Sequence, residues 1–262
     1  MRVPVVQHRT LRRRARRRRA LRAGGELLVT LGVVLLLLVV HQTWWTNRQA
    51  RAGAERTVQA LERQWTAHPS TRVPPASPTR APTRSRPGTP APVASAATTA
   101  PAPHLPAYAI LTIPRLHLRV PVAEGVRRAD VLDRGYAGHY PGTQQPGQAG
   151  NFALAGHRNT HGEPFRHLDR VGEGDRVVVE TALASYTYVV DRVLARTSPR
   201  DSGVLRPVPA SLVHPGQGYR EPGYYLTLTT CTPAYSSAYR LVVWGKLASV
   251  RPRRPGAVAW GP

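Results

Sequence analysis

A run of apolar residues near the N-terminus constrains this chain most strongly. Residues 27–40 are all Leu or Val except Thr30 and Gly32, and the run reaches nineteen residues when it is extended through Trp45. A helix of that length spans roughly 28 Å, close to the ~30 Å hydrocarbon core of a bilayer. Trp44 and Trp45 fall where interfacial aromatic residues are usual. The sequence therefore predicts a transmembrane helix over residues 27–46.

The basic residues are concentrated outside the part of the chain that could fold. Of 262 residues, 37 are Lys or Arg and 14 are Asp or Glu, a formal net charge of +23, and ten Arg lie in the first 25 residues. Residues 106–250 hold sixteen basic and eleven acidic residues, which excludes a histone-like polycation. The Arg-rich head before the apolar run predicts a cytoplasmic N-terminus and an extracellular remainder, held in the cell membrane by a single span.

Three other interpretations of the N-terminus remain open. Residues 27–40 could be the core of a cleaved signal peptide with Ala50-Arg51-Ala52 as the cleavage site, although that site lies farther from the apolar core than usual. Paired arginines also resemble a twin-arginine export signal. The third interpretation is that the Arg run binds nucleic acid. An adjacent membrane span explains the arginines more economically, so no nucleic-acid partner is predicted.

Composition divides the rest of the chain into a helical segment, a linker and a folded domain. Helix formers fill the segment after the span, whereas the next is rich in Pro, Ser, Thr and Ala and predicts an extended linker without a core. The predicted segments are a cytoplasmic head at 1–26, the transmembrane helix at 27–46, a polar helical stalk at 47–68, a Pro-rich linker at 69–106, the folded domain at 107–250 and a basic tail at 251–262. Such a linker could extend on the order of 100 Å from the membrane.

The folded domain is predicted to be mostly β. Short segments rich in Val, Leu, Tyr and Thr are bounded by Gly, Pro or Asp, which is typical of strands. They lie at 108–113, 117–122, 151–155, 176–180, 185–196, 224–230 and 240–247. Two short helices are predicted at 127–133 and 164–168. Seven or eight short strands in about 145 residues indicate a closed or nearly closed barrel.

The single cysteine excludes an intramolecular disulfide and a multi-cysteine zinc site. Cys231 ends one predicted strand, and Arg240 begins the next. If these strands pair antiparallel, thiol and guanidinium lie side by side, where a permanent cation favours thiolate and can donate to an oxyanion. The alternative is a buried structural cysteine.

Ten histidines could supply an acid/base group, and His157 is the strongest choice. It follows the predicted strand at 151–155 and precedes a polar loop, a common position for a functional group. His157 and His161 have the spacing of a helical zinc pair, but no acidic third ligand is evident and the region is not predicted to be helical, so no metal site is predicted. His139, His167 and His214 are predicted to be surface or packing residues.

These motifs resemble the sortase family. The resemblance rests on Thr-Leu-Thr-Thr-Cys at 227–231, on Arg240 beyond that cysteine, and on Gly156-His157 after a strand. Gly-His-Arg at 156–158 and His-Tyr-Pro-Gly-Thr at 139–143 make the chain similar to class E sortases of actinobacteria, high-GC Gram-positive bacteria. The resemblance covers roughly residues 107–250.

The resemblance implies an eight-stranded sortase β-barrel and a cysteine transpeptidase. Cys231 would be the nucleophile, His157 the acid/base, and Arg240 the oxyanion or substrate-positioning group. The substrate would be a secreted protein with a C-terminal sorting signal, which is cleaved between Thr and Gly and joined to an amine of a peptidoglycan precursor in the cell wall. No cofactor is needed, and no acidic cluster like the calcium site of class A relatives is evident.

Class E resemblance further implies a Leu-Ala-x-Thr-Gly signal, whereas many sortases prefer Pro at the second position. Tyr140 and Thr230 are the predicted substrate-binding residues. The Tyr140 hydroxyl could bind the backbone amide of the Ala position, which a Pro lacks. The alternative is that Tyr140 only packs in its turn.

Two other functions stay open at this point. An L,D-transpeptidase or another wall-directed cysteine peptidase shares the nucleophile, but those enzymes typically place His and Cys within one short segment. A non-enzymatic, membrane-tethered wall-binding module with an incidental cysteine is the second alternative.

Overall fold

The computed structural model describes residues 8–67 and 107–253 of the chain. They form one long helix and an eight-stranded barrel. The predicted linker at 69–106 and most of the predicted basic tail lie outside the described residues.

Helix α1 runs without interruption from His8 to Ala67. Its portion from Gly24 contains an 18-residue window with a mean hydropathy of 2.2 and no buried residues, so by length and composition this helix could cross a membrane. Leu and Val side chains in 27–40 are 50–71% exposed. The predicted span and the predicted stalk are therefore parts of one continuous helix. They differ in the side chains on its surface, which are apolar in the span and more polar beyond it.

The C-terminal part of α1 lies against the barrel. Ala54, Val58, Leu61 and Trp65 recur at helical spacing and are 2–8% exposed. They form an apolar cluster with strand and turn residues of the barrel, among them Ile110. This segment was predicted to be a polar stalk, but it is amphipathic, and its apolar stripe is buried because the barrel supplies a matching surface.

The strands are β1 (Ala107–Ile113), β2 (Leu118–Glu124), β3 (Ala137–His139), β4 (Gly150–Ala155), β5 (Arg176–Thr181), β6 (Ala184–Thr197), β7 (Tyr224–Thr232) and β8 (Tyr239–Pro252). They close in the order β1-β2-β3-β4-β7-β8-β6-β5. The mostly β fold with a closed eight-stranded barrel is thus confirmed. The sequence missed β3, and β8 continues past residue 250, the predicted end of the domain.

The two predicted helices are wrong in extent. Residues 128–131 form turns, and only Leu132–Arg134 is a 3-10 helix. Residues 164–167 are also turns, and the 3-10 helix there is Leu168–Arg170. Each segment is too short for the cooperative hydrogen bonding of an α-helix.

Strand β7 organises the centre of the barrel. It pairs parallel with β4 on one side and antiparallel with β8 on the other. Phe152 and Leu154 of β4 pack with Leu226 and Leu228 of β7 in the barrel core, all of them 0–1% exposed. The C-terminal ends of β4 and β7 and the start of β8 are therefore held together at one rim.

Candidate active site

Cys231 and Arg240 are cross-strand neighbours in the β7–β8 pair. The predicted antiparallel pairing is confirmed. Cys231 is a free, partly exposed cysteine. One guanidinium nitrogen of Arg240, Nη1, donates to the carbonyl oxygens of Ser237 and Tyr239, both at 3.0 Å, which ties the arginine to its own loop.

His157 leaves the barrel at the same rim as Cys231. Ala155 of β4 is in register with Thr229 of β7, and the two strands run parallel, so His157 and Cys231 each lie two residues farther along. Two hydrogen bonds extend this pairing beyond the strand. The Gly156 amide donates to the Thr229 carbonyl at 3.2 Å, and the Thr230 hydroxyl donates to the Gly156 carbonyl at 2.8 Å.

The hydroxyl of Thr230 therefore has a structural partner. Its side chain is 3% exposed and fixes the backbone immediately before His157. Substrate binding by Thr230 stays a prediction, and any such contact would have to be made by its backbone or through the residues it holds.

Asp133 orients His157. The Nε2–H of His157 donates to Oδ1 of Asp133 at 2.7 Å, and Asp133 comes from the 3-10 helix between β2 and β3. Burial is the main influence on the pKa of His157 and lowers it below 6.5, although the hydrogen bond and charge of Asp133 act in the opposite direction. His157 is therefore neutral at neutral pH, with Nδ1 as its basic nitrogen.

A second arginine, Arg158, holds the cysteine end of β7. Its Nη1 donates to the carbonyl oxygen of Cys231 at 3.3 Å and to Oγ1 of Thr232 at 3.0 Å. Its Nη2 lies 3.0 Å from Oδ2 of Asp169, and the side chain is 8% exposed. Arg158 thus links the loop that carries His157 to the backbone of the cysteine.

Tyr140 lines a cavity of about 180 Å³ beside Arg240. Its hydroxyl is 3.0 Å from the hydroxyl of Thr229, another wall residue. Residues 197–202, at the end of β6 and the start of the β6–β7 connection, also line it. The lining of this cavity therefore brings Arg240 together with Thr229, near the end of β7.

The sequence and the fold were compared with those of known proteins. The family model described as "Sortase domain" matches residues 111–248. The chain belongs to the sortase family. This confirms the resemblance to sortases that was inferred from the Cys, His and Arg motifs.

Individual relatives include class E sortases. The chain is 41% identical to Sortase SrtE1 of Streptomyces coelicolor over 221 residues, which is 82% of this chain and 54% of that protein. It is 29% identical to Sortase D of Bacillus subtilis over 143 residues, 53% of this chain and 63% of that protein. The chain thus spans about half the length of SrtE1.

Two solved structures show the same likeness in three dimensions. The crystal structure of sortase E1 from Streptomyces coelicolor with a tripeptide in the active site has a TM-score of 0.54 at 47% identity, and covers 58% of this chain and 94% of that one. Sortase E from Streptomyces avermitilis has a TM-score of 0.50 at 41% identity, with coverage of 58% and 95%.

Within this sortase barrel, the structure assembles three of the five predicted site residues at one rim and places a fourth beside it. Cys231, His157 and Arg240 share the rim, and Tyr140 lines the adjoining cavity. His139 is 1% exposed, and its Nδ1 lies 2.7 Å from Oε2 of Glu124, so it packs inside the barrel as expected.

Sequence reasoning missed Asp133 and Arg158 as site residues. Asp133 is one acid among eleven in the folded domain and has no motif of its own. Arg158 was noticed only as part of the family-like Gly-His-Arg run. Its position directly after His157 was the one available signal, because a residue beside a functional group at a strand end often contacts the same rim.

Asp201, which also lines the cavity beside Arg240, holds the segment around it by hydrogen bonds. Hydroxyls of Thr197 and Ser211 donate to Oδ2 at 2.6 and 2.5 Å, and the Leu212 amide donates to Oδ1 at 2.9 Å. Burial would raise the pKa of Asp201, but these hydrogen bonds outweigh it and lower the pKa below 3.8. The carboxylate therefore stabilises the start of the β6–β7 connection.

We expect Asp201→Asn to destabilise the barrel by about 1–3 kcal/mol at pH 7, because buried donors lose a charged acceptor. The pKa is lower in the folded state, so this contribution is complete above the ordinary Asp value and is lost as the pH falls through the lower folded-state value. The thermal unfolding midpoint of each protein is measured by near-ultraviolet circular dichroism at several pH values from 7 to 3. The difference between the two midpoints should shrink as the pH falls. A gap that stays constant with pH would contradict this role of the carboxylate.

Proposed function

We propose that this chain is a membrane-anchored cysteine transpeptidase that cleaves a C-terminal sorting signal between Thr and Gly and joins the protein to a cell-wall amine. The observation that carries the proposal is the shared rim: Cys231 pairs with Arg240, and parallel β4 brings His157 to the same end. Membership of the sortase family and the similarity to a sortase E1 crystallised with a tripeptide in its active site support it.

His157 would act first as a base and then as an acid. With Nε2–H bonded to Asp133, neutral His157 takes the Cys231 proton at Nδ1 and becomes imidazolium. The sulfur attacks the Thr carbonyl carbon, the C–N bond to Gly breaks, and the imidazolium returns its proton to the leaving amine. The thioacyl carbon is then attacked by the amine of a peptidoglycan precursor, and the thiol leaves with a proton.

Arg240 would stabilise the charge that develops on the Thr carbonyl oxygen. Its position opposite Cys231 in the strand pair supports this role, because a guanidinium there would be within reach of a carbonyl attacked by the thiol. A donor aimed at an oxyanion lowers the barrier because it binds the transition state more strongly than the ground state. Arg158 is held by Asp169 and by the Cys231 carbonyl, so its role would be to position the nucleophile.

The reaction is tested with the full chain in detergent micelles, a Leu-Ala-x-Thr-Gly peptide and an excess of a glycyl or lysyl amine. The expected product is the peptide cut after Thr and joined to the added amine, identified by mass. Cleavage that gives only the hydrolysed acid with every amine would favour a wall-directed cysteine peptidase. No cleavage of any sorting peptide would overturn the proposal.

The docked part of α1 would place this rim close to the membrane surface. Oδ1 of Asn47 accepts from the Gly162 amide at 3.2 Å, and Nε of Arg51 donates to the Gly162 carbonyl at 3.0 Å. Asn47 is two residues beyond Trp45, about 3 Å along the helix axis. A sorting signal whose cleavage site precedes an apolar, membrane-embedded segment would meet the enzyme at that level.

We expect an uncleaved protein with a cytoplasmic N-terminus and an extracellular barrel. Cys231→Ala removes the only thiol of the chain. In that background, a single new cysteine is introduced on either side of the predicted span, by Thr10→Cys before it or by Ser77→Cys after it. A membrane-impermeant maleimide added to intact cells should label position 77, and label position 10 only after lysis. Labelling at position 10 in intact cells, or a mature protein that starts after Ala52, would contradict the prediction.

We expect Tyr140→Phe to reduce the preference for Ala over Pro at the second signal position by about 5- to 150-fold, the equivalent of one buried hydrogen bond of about 1–3 kcal/mol. A Tyr140 hydroxyl that donates to Thr229 keeps a lone pair for the amide of the Ala residue, which Pro lacks. The measurement is kcat/KM for both peptides. Tyr224→Phe, at the opposite end of β7, is the matched control, and an unchanged ratio in Tyr140→Phe leaves Tyr140 as a packing residue.

A further inference from the structure

Three metal-ligating side chains converge beside the proposed active site. One ligand atom from each of Asp133, His157 and His161 lies within 4.8 Å of the other two. Oδ1 of Asp133 is 2.7 Å from Nε2 of His157 and 3.5 Å from Nδ1 of His161. The acidic ligand that is absent from the sequence around His157 and His161 is thus supplied by Asp133, in the 3-10 helix between β2 and β3.

His161 has an unusual backbone conformation and a buried ring nitrogen without a hydrogen bond in the described part of the chain, and neither is needed to form the barrel. It adopts the left-handed conformation with φ of 52°, which is uncommon for a residue other than Gly. Its Nδ1 is buried and has no hydrogen-bond partner among the residues that the structure describes. A strained backbone and an unpartnered buried nitrogen are both costly, and they cluster where a ligand completes the site.

The α1 helix holds His161 in this position. The next residue, Gly162, is bonded through its amide to Asn47 and through its carbonyl to Arg51. Arg51 also pairs with Glu163 at 3.0 Å. The loop is therefore fixed from outside, and the His161 ring lies beside both Asp133 and His157, with its centroid 5.4 Å from that of His157.

The two separations to Asp133 lie near those around a small divalent ion, and the ligand atoms of His157 and His161 lie within 4.8 Å of each other. Metal–nitrogen and metal–oxygen distances of about 2.0–2.1 Å in a tetrahedral site put the ligand atoms about 3.3–3.5 Å apart. The separation between Asp133 and His161 already has that value. The separation between Asp133 and His157 would have to lengthen by roughly 0.6 Å as the metal replaces their shared proton.

We propose that Asp133, His157 and His161 form an inhibitory site for Zn²⁺. Two imidazoles and one carboxylate with an open fourth position are a donor set that suits Zn²⁺ and its transition-metal neighbours, whereas Ca²⁺ and Mg²⁺ prefer oxygen ligands. The binding part of this proposal stands on the ligand geometry alone. The inhibitory part rests on the proposed function of His157.

Inhibition would follow from a change of tautomer. In the metal-free enzyme Nε2 of neutral His157 carries the proton and Nδ1 carries the lone pair that accepts the Cys231 proton. A metal bound at Nε2 takes the lone pair of that nitrogen, so the single proton of the neutral ring must move to Nδ1. No proton is gained or lost, but His157 can no longer act as a base.

The binding test uses the untagged full chain in detergent as Cys231→Ala, which removes the thiol as a competing ligand. Equilibrium dialysis against Zn²⁺ should give one tightly held ion per chain, and Co²⁺ should give the visible absorption of a tetrahedral site. Asp133→Asn and His161→Ala should each weaken binding at least tenfold. His167→Ala, an exposed histidine of the same loop, should bind like the parent, with near-ultraviolet circular dichroism as the check that each variant is folded.

The inhibition test uses the chain with Cys231 intact in the transpeptidation assay. Zn²⁺ should stop turnover, a chelator should restore it, and Ca²⁺ should have no effect. The Zn²⁺ concentration for half inhibition should rise at least tenfold in His161→Ala and stay constant in His167→Ala. Equal Zn²⁺ binding by parent, His161→Ala and Asp133→Asn would overturn the site, whereas Zn²⁺ binding without turnover of any sorting peptide would overturn the proposed function and leave the site standing.

Discussion

Cys231→Ala is expected to abolish both the transpeptidation product and the thioacyl intermediate. Cys231 is the only thiol in the chain, so no other side chain can replace it as a sulfur nucleophile. The residue is partly exposed at a strand end, so its truncation leaves the barrel core untouched. Intact-protein mass spectrometry with a sorting peptide should detect an acyl adduct on the parent and none on the variant.

Cys231→Ser is the matched control for shape, because it keeps a polar atom at the same position. It should fold like the parent and lose turnover, since a serine hydroxyl beside Arg240 is a much weaker nucleophile than a thiolate. Retained turnover or a retained adduct in Cys231→Ala would contradict the proposed mechanism. A thiol-directed alkylating reagent should also inactivate the parent in proportion to the adduct formed.

His157→Ala and Arg240→Ala should each lower kcat/KM by about 10²–10⁴-fold, with most of the loss in kcat. Both groups act on charge that develops in the transition state, so they contribute more to rate than to peptide binding. Steady-state kinetics with one sorting peptide and one amine separates kcat from KM. Arg240→Lys keeps the positive charge but not the planar guanidinium with its several N–H donors. Its kcat/KM should therefore lie between those of Arg240→Ala and the parent.

His214→Ala is the control for these two variants and should match the parent, because His214 is in the β6–β7 connection and does not line the cavity beside Arg240. His139 is a poor control, because its buried ring packs against Phe152 and its loss would disturb the core. A loss in His161→Ala as large as that in His157→Ala would show that the wrong histidine was chosen as the base. A pure KM effect in Arg240→Ala would assign that arginine to binding.

The way each proposed site residue reaches the rim of the barrel explains whether it could be predicted from the sequence. Cys231 and Arg240 flank one short loop, so a local hairpin argument was enough to pair them. His157 could be selected because a strand pattern ends just before it. Its place at the same rim as Cys231, however, depends on the parallel β4–β7 pair, in which Ala155 is in register with Thr229, 74 residues farther along the chain.

What the sequence determined by itself is therefore local in origin. The candidate membrane span follows from length and hydropathy. The β class follows from short alternating segments, and the pairing of Cys231 with Arg240 from two strands joined by one loop. Each depends on neighbours a few residues apart, whose geometry the backbone periodicity fixes.

Only the tertiary structure decided the surroundings of these groups. Asp133 reaches His157 across 24 residues, Arg158 reaches the Cys231 carbonyl across 73, and Arg51 reaches Gly162 across 111. Such contacts leave no periodic signal, because they depend on how whole strands and the docked helix are placed. The long-range packing of α1 and the β4–β7 pair set the orientation of His157, and with it the chemistry proposed for the rim.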